Sequence, residues 1–198
     1  MKIQNKKTAD SHYNMGNLYC KTGDYNEALI KYKKALEIYT KVLGLDHPHT
    51  ADSHNNIGSV HFRNDEIDEA LIHYKKALDI RLKVLAPNHP DIANSCHNIG
   101  TVYYEKGDYD GALIQHKKAL DIRLKVYGPD HPKTADSYYN IGIAYDEKSD
   151  YEEALMEYKK ALENYNKVLG PDHPNTIYCQ ESINVIEVIQ SSNIPTSE

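Results

Sequence analysis

The sequence predicts an all-α solenoid of four helix-turn-helix repeats followed by a C-terminal capping helix. Three observations carry this expectation. Thr8-Ala9-Asp10-Ser11 returns as Thr50-Ala51-Asp52-Ser53, Ile92-Ala93-Asn94-Ser95 and Thr134-Ala135-Asp136-Ser137, always 42 residues apart and without an insertion. Self-similarity at such a period marks units that stack because none can bury its apolar face alone. Within each unit the apolar residues fall at helical spacing, as in Ala28, Leu29, Tyr32, Ala35, Leu36, Tyr39 and Val42. Pro and Gly punctuate the units at fixed places, where helices start and stop.

The four units occupy 8–49, 50–91, 92–133 and 134–175, or 168 of 198 residues, with 1–7 left as an N-terminal tail. The first helix of a unit starts at the Pro of an Asp/Asn-His-Pro element (Pro48, Pro90, Pro132), where a missing N–H costs nothing. It ends at Lys21-Thr22-Gly23, Arg63-Asn64-Asp65, Glu105-Lys106-Gly107 or Glu147-Lys148-Ser149. The second helix starts near Tyr25, Ile67, Tyr109 and Tyr151 and runs to Leu43, Leu85, Tyr127 and Leu169. Gly44, Gly128 and Gly170 follow as stops, with Ala86 the exception. Glu37/Lys41, Asp79/Lys83, Asp121/Lys125 and Glu163/Lys167 are i,i+4 pairs in the favourable orientation, expected as a solvated face. A helix over 176–190 is expected to cap the fourth unit, offering Ile177, Ile183, Val185 and Ile186 on one side and Gln180, Asn184 and Glu187 to solvent. Residues 191–198 are expected to form a flexible tail.

Composition narrows the function. The chain has 23 Lys+Arg against 29 Asp+Glu, a net charge of −6, which argues against a nucleic-acid binder. Apolar residues make up 40% and charged residues 26%, a globular balance. Cys20, Cys96 and Cys179 form no CxxC pair, and an odd count suits the reducing cytosol. Neither a signal peptide nor a membrane span of about 20 apolar residues is recognisable. A cytoplasmic protein is expected.

The first helices carry Met15-Gly16-x-x-Tyr19, Ile57-Gly58-x-x-His61, Ile99-Gly100-x-x-Tyr103 and Ile141-Gly142-x-x-Tyr145, preceded by His12, His54, Cys96 and Tyr138. The second helices carry Ala28-x3-Tyr32-x2-Ala35, Ala70-x3-Tyr74-x2-Ala77, Ala112-x3-His116-x2-Ala119 and Ala154-x3-Tyr158-x2-Ala161. The period alone also suits HEAT or armadillo repeats, but this residue pattern closely resembles the tetratricopeptide repeat (TPR). The usual TPR unit is about 34 residues, and the second helix here is about two turns longer. Lys41-Val42-Leu43-Gly44-Leu45-Asp46-His47-Pro48 and Lys167-Val168-Leu169-Gly170-Pro171-Asp172-His173-Pro174 resemble the linkers of kinesin-light-chain-like repeats. The resemblance implies a right-handed TPR solenoid whose first helices line a concave peptide-binding groove.

Candidate site residues are the polar ones that recur on the first helices. Asn14, Asn56, Asn98 and Asn140 stand in register although Asn is a mediocre helix former. A carboxamide both donates and accepts, so these side chains could hold a peptide backbone or could bond across to neighbouring units. In kinesin-light-chain-like repeats the matching Asn lines the groove. One turn earlier stand Asp10, Asp52, Asn94 and Asp136, flanked by Tyr13, Asn55, His97 and Tyr139, with Asn17, Ser59, Thr101 and Ile143 continuing the surface. The acids would favour a ligand bearing Lys, Arg or an amine, or would only complement a helix dipole. The basic residues of an Hsp70/Hsp90-type carboxylate clamp are missing, since Asp52 and Asn94 stand where Lys would be wanted.

No catalytic, metal or cofactor site is expected. His47, His89, His131 and His173 recur once per linker, and His12, His54, His61, His97 and His116 occupy packing slots. The cysteines have no partner at diagnostic spacing, and no GxGxxG, P-loop or HExxH is present. The expected function is a non-enzymatic scaffold or adaptor that binds an extended peptide or partner segment in the groove. The alternatives are a self-assembly module and a regulatory fragment of a larger motor or signalling enzyme.

Overall fold

A computed structural model describes residues 2–192. It contains nine helices and no strand among the described residues: α1 (Lys2–Thr22), α2 (Tyr25–Leu43), α3 (Pro48–Arg63), α4 (Ile67–Val84), α5 (Pro90–Glu105), α6 (Tyr109–Tyr127), α7 (Pro132–Glu147), α8 (Tyr151–Val168) and α9 (Pro174–Ser192). The starts at Pro48, Pro90, Pro132 and at Tyr25, Ile67, Tyr109, Tyr151 are those expected. Two ends differ. Helix α1 already begins at Lys2, so 2–7 is helix where a tail was expected, and α9 continues to Ser192. Residues 193–198 of the expected C-terminal tail lie outside the described residues.

The chain divides into two compact units, Met1–Lys106 with α1–α5 and Gly107–Glu198 with α6–α9. In the first, α1 pairs with α2 and α3 with α4, while α2 packs on α3 and α4 on α5. In the second, α6 packs on α7, α7 pairs with α8, and α8 packs on α9. The Gly of each first helix explains the closeness of the hairpins. A Cβ built on Gly16 would sit 2.6 Å from the Tyr32 ring, on Gly58 2.9 Å from Tyr74, and on Gly142 2.6 Å from Tyr158. These tyrosines are buried together with Ala28, Ala70 and Ala154, so small residue and ring interlock at native density.

The linkers are built from side chains of known chemistry. His47, His89 and His131 are N-caps whose Nδ1 accepts the N–H of His49, Asp91 and Lys133 at 3.1, 3.2 and 3.1 Å. His173 accepts from Asn175 in the same way at 3.2 Å. A neutral imidazole thus replaces the usual Ser or Asp cap, and burial keeps His47 below the ordinary imidazole range. Thr50, Thr134 and Thr176 donate to the carbonyls of Gly44, Gly128 and Gly170 at 2.9, 2.9 and 2.8 Å. The junction between repeats two and three replaces both partners at once: Ala86 stands for Gly and buried Ile92 for Thr.

The expected i,i+4 pairs are only partly made. Lys41 reaches Glu37 at 2.5 Å, but Lys83 reaches Asp46 at 3.0 Å and Lys167 reaches Asp130. Those two lysines tie the second helix to the Asp of the preceding linker. In α9, Cys179, Ile183 and Ile186 are buried on Tyr158 and Tyr165. Ile177 and Val185 are exposed, so the four expected apolar residues do not share a face. Gln180, Asn184 and Glu187 are exposed as expected.

Candidate functional site

In the first unit two of the recurrent carboxamides, Asn56 and Asn98, join with Asn17 and Asn55 into one chain across three first helices. Tyr32 Oη donates to Asn17 Oδ1 at 2.7 Å. Asn56 Nδ2 donates to the same Oδ1 at 3.4 Å and to Tyr13 Oη at 2.9 Å. Asn55 Nδ2 donates to Asn56 Oδ1 at 3.4 Å, and Asn98 Nδ2 donates to Asn55 Oδ1 at 3.1 Å. The series Asn17, Asn56, Asn55, Asn98 therefore runs from α1 through α3 to α5. Asn56 is fully engaged, with both donors and its carbonyl taken. Asn98 keeps an oxygen and one N–H. Asn14 is exposed on α1.

Asn140, in the second unit, behaves differently. Its Nδ2 donates to the backbone carbonyl of Asp136 at 2.6 Å, one turn back on α7. Tyr139 rests its ring 5.4 Å from Tyr158 and 6.5 Å from Tyr165, with its hydroxyl 3.5 Å from Ser182 Oγ of α9. Tyr13 makes the matching arrangement in the first unit, 5.6 Å from Tyr32 and 6.5 Å from Tyr39. Both tyrosines are thus half-buried packing residues. His97 is half-buried on α5.

The acids hold their own second helices. Asp10 accepts from Tyr39 Oη at 2.7 Å and Asp136 from Tyr165 Oη at 2.7 Å. Asp52 accepts from Arg81 Nη2 at 2.9 Å. The Tyr39 hydroxyl, followed by Lys6, holds the Asp10 carboxyl below its ordinary range. Burial, then the bond to Asp10, pushes the Tyr39 phenol up. Arg81 also donates to Ser95 Oγ at 2.7 Å and to the Asp91 carbonyl at 3.1 Å, tying α4 to α5. Arg123 repeats this toward α7, through Ser137 at 2.8 Å and the Lys133 carbonyl at 3.0 Å. Neither use expected for these acids, ligand selection or dipole complement, included these partners. The signal was present: Tyr, Arg and Tyr follow Asp10, Asp52 and Asp136 by a constant 29 residues.

A second polar cluster lies between α3 and α4. His54 Nδ1 and His73 Nδ1 are 3.0 Å apart, one donating to the other, and His61 Nδ1 meets Glu66. Burial pulls both His54 and His73 down to about 4. Among the described residues no group of three or more His, Cys, Asp or Glu is arranged to hold a metal ion. No helix among them is long and apolar enough to cross a membrane.

Comparison with known proteins agrees with this architecture. A tetratricopeptide-repeat family profile matches residues 7–83, 50–125 and 91–167. No curated protein matches the sequence. Among solved structures, a Podosopora anserina kinesin light chain-like protein with nearly identical TPR-like repeats is similar at TM-score 0.81 and 20% identity, over 96% of this chain and 89% of that one. BtubC (BKLC) from P. vanneervenii is similar at TM-score 0.69 and 19% identity, over 96% and 67%. The apo form of RapI is similar at TM-score 0.78 and 19% identity, over 91% and 48%. At such identities the likeness concerns the fold. With the profile spanning residues 7 to 167, and each first-helix Gly seated on a second-helix Tyr in the hairpins described, the chain belongs to the tetratricopeptide-repeat family.

Proposed function

We propose that the chain is a non-enzymatic, cytoplasmic scaffold that holds an extended peptide or partner segment along its first helices. The tetratricopeptide fold generally mediates protein–protein interaction, which is the coarse part of this reading. The observation that carries the finer part is the carboxamide chain of the first unit. Asn98 has an unused acceptor and donor at the α5 end, and Asn14, outside the chain, is exposed on α1. Such groups pair with peptide backbone irrespective of ligand sequence, leaving selection to their neighbours. Asn140 retains its carbonyl for the same use. A basic side chain of the ligand would meet Asp136 rather than Asp52, because Arg81 already offsets the Asp52 charge and Lys6 that of Asp10. Tyr13, Asn55, His97 and Tyr139 would border the bound segment.

An unbiased peptide-display selection against the folded protein tests this. A shared motif should bind about tenfold more weakly to Asn14→Ala and Asn98→Ala, each losing hydrogen bonds to the ligand. If an enriched motif binds both variants as tightly as the wild type, the first-helix reading is wrong.

A further inference from the structure

The repeats provide their own reference for what each position looks like when covered. Met15 corresponds to Ile57, Ile99 and Ile141, and Leu18 to Val60, Val102 and Ala144. These six inner residues are at most 1% exposed, whereas Met15 is 38% and Leu18 61% exposed. Thr8 and Ser11 are likewise exposed although their counterparts are buried. The inner residues are covered by the second helix of the preceding repeat: Ile57 and Val60 pack with Ala28 and Tyr32 of α2, and Ile99 and Val102 with Ala70 and Tyr74 of α4. On α1 the same stripe borders an open depression of about 520 Å3, lined by Lys7, Asp10, Ser11, Asn14, Met15 and Leu18. Its side chains are those of an inner repeat, not the polar ones of a capping face.

Helix α9 presents the opposite case. Its inner side is buried on α8, and its outer side exposes Ile177, Tyr178, Val185 and Val188. The charges of the two end helices are complementary. Among the described side chains, helix α1 carries Lys6, Lys7 and Lys21 against Asp10 alone, in a chain of net charge −6. Helix α9 carries Glu181 and Glu187 and neither Lys nor Arg. Lys6 is occupied by Asp10 and Glu187 by Lys159, which leaves Lys7 and Lys21 to meet Glu181. Two α1 faces would set like charges against each other, and so would two α9 faces.

We propose that the outer face of α1 is a docking surface for α9 of a second copy of this chain. Met15 and Leu18 of one copy bury against Val185 and Val188 of the next, with Lys7 and Lys21 beside Glu181. The contact is heterologous, because different surfaces of the two copies meet, so each copy keeps one donor and one acceptor end.

Sedimentation of the full chain over a dilution series tests this with two variants, Met15→Glu/Leu18→Glu and Val185→Lys/Val188→Lys. All four positions are exposed, and thermal melts followed by circular dichroism verify that helicity is kept. Should a pair disturb α1 or α9, Leu18→Gln and Val188→Gln make the same comparison. The wild type should associate with increasing concentration. Each variant alone should be monomeric, and an equimolar mixture should recover a 1:1 complex through the two intact faces. A wild type that stays monomeric up to about 200 µM overturns the proposal. It is equally overturned if either variant self-associates like the wild type, or if the mixture remains monomeric.

Discussion

Asn56 and Asn14 occupy the same place in successive repeats and yet should behave oppositely. Asn56 Nδ2 spends both hydrogens on the preceding repeat, at 2.9 Å to Tyr13 and 3.4 Å to Asn17. Replacing it with Ala leaves the Tyr13 hydroxyl without that donor, while the Asn17 carbonyl keeps the one from Tyr32. Urea denaturation should show a loss of about 1–2 kcal/mol for Asn56→Ala. For Asn14→Ala the change should stay within about 0.5 kcal/mol, since the side chain is exposed. Equal losses at the two positions would mean that the stack contacts contribute nothing particular. The recurrence of these Asn residues was legible in the sequence, and so were both of their possible uses. Which use applies was not, because the bonds join residues 39 and 43 apart on different helices. Only the stacking geometry brings them together. Similarly, Asp10, Asp52 and Asp136 were visible as a strip, whereas the constant spacing of 29 to Tyr39, Arg81 and Tyr165 becomes a set of bonds only once the two helices of a hairpin are paired.

Helix starts could be read because local chemistry sets them: Pro at the first position and a capping side chain just before it. The turn inside each hairpin could be placed too, and it demands a left-handed residue. Gly23 and Gly107 supply this at φ 83° and 73°, while Asp65 and Ser149 adopt φ 62° with a Cβ in the way. Ser149→Gly should therefore stabilise the protein by about 0.5–1 kcal/mol, the strain relieved exceeding the added unfolded-state freedom. A lower Tm for this variant would show that the Ser side chain contributes more than its backbone costs. The lysine pairings were misjudged because the i,i+4 rule treats a helix as isolated, whereas Asp46 and Asp130 offer lysines a partner on the linker. The α3–α4 contact carries a pH dependence. His54 and His73 titrate near 4 in the folded protein, below the roughly 6.5 of an unfolded imidazole. The unfolded chain thus binds protons first as pH falls, so their contribution is complete above about pH 6.5 and is lost toward pH 4. Lys76 faces both rings, and His61 and Lys33 also act on His73, all opposing protonation. Allowing for partial exposure, about 1–2 kcal/mol should disappear across that window. The double variant His54→Tyr/His73→Gln, which installs the residues found at these positions in other repeats, should flatten the profile. An unchanged slope between pH 6.5 and 4 would assign the acid sensitivity elsewhere.

At the scale of the whole chain, the compact units do not follow the repeat borders. The division falls after Lys106, in the turn of the third repeat, although the sequence places its borders after residues 91 and 133. Periodicity reports which segments are equivalent; compactness depends on which helices each one packs against, and the sequence shows only the first. An array of this kind has nearest-neighbour stability, so its terminal helices open before its interior. Cys179 makes that opening measurable. Its thiol is buried on α8, donates to the Tyr158 carbonyl at 3.2 Å, and is pushed up to about 12 by burial. As a thiol reacts through its thiolate, Cys179 should be inert while α9 is docked and should react only through α9 opening. Half-buried Cys20 on α1 should label faster. Ile186→Asp places a carboxylate where Ile186 now packs against Tyr158 and Tyr165, at a penalty that undocking removes. Labelling followed by mass spectrometry should then show Cys179 reacting at least about tenfold faster, with the rate at Cys20 unchanged, because α1 belongs to the other compact unit. Equal acceleration at both thiols would mean that the chain opens as one cooperative body. In that event α9 is a full partner in a single core rather than a cap in nearest-neighbour contact with α8.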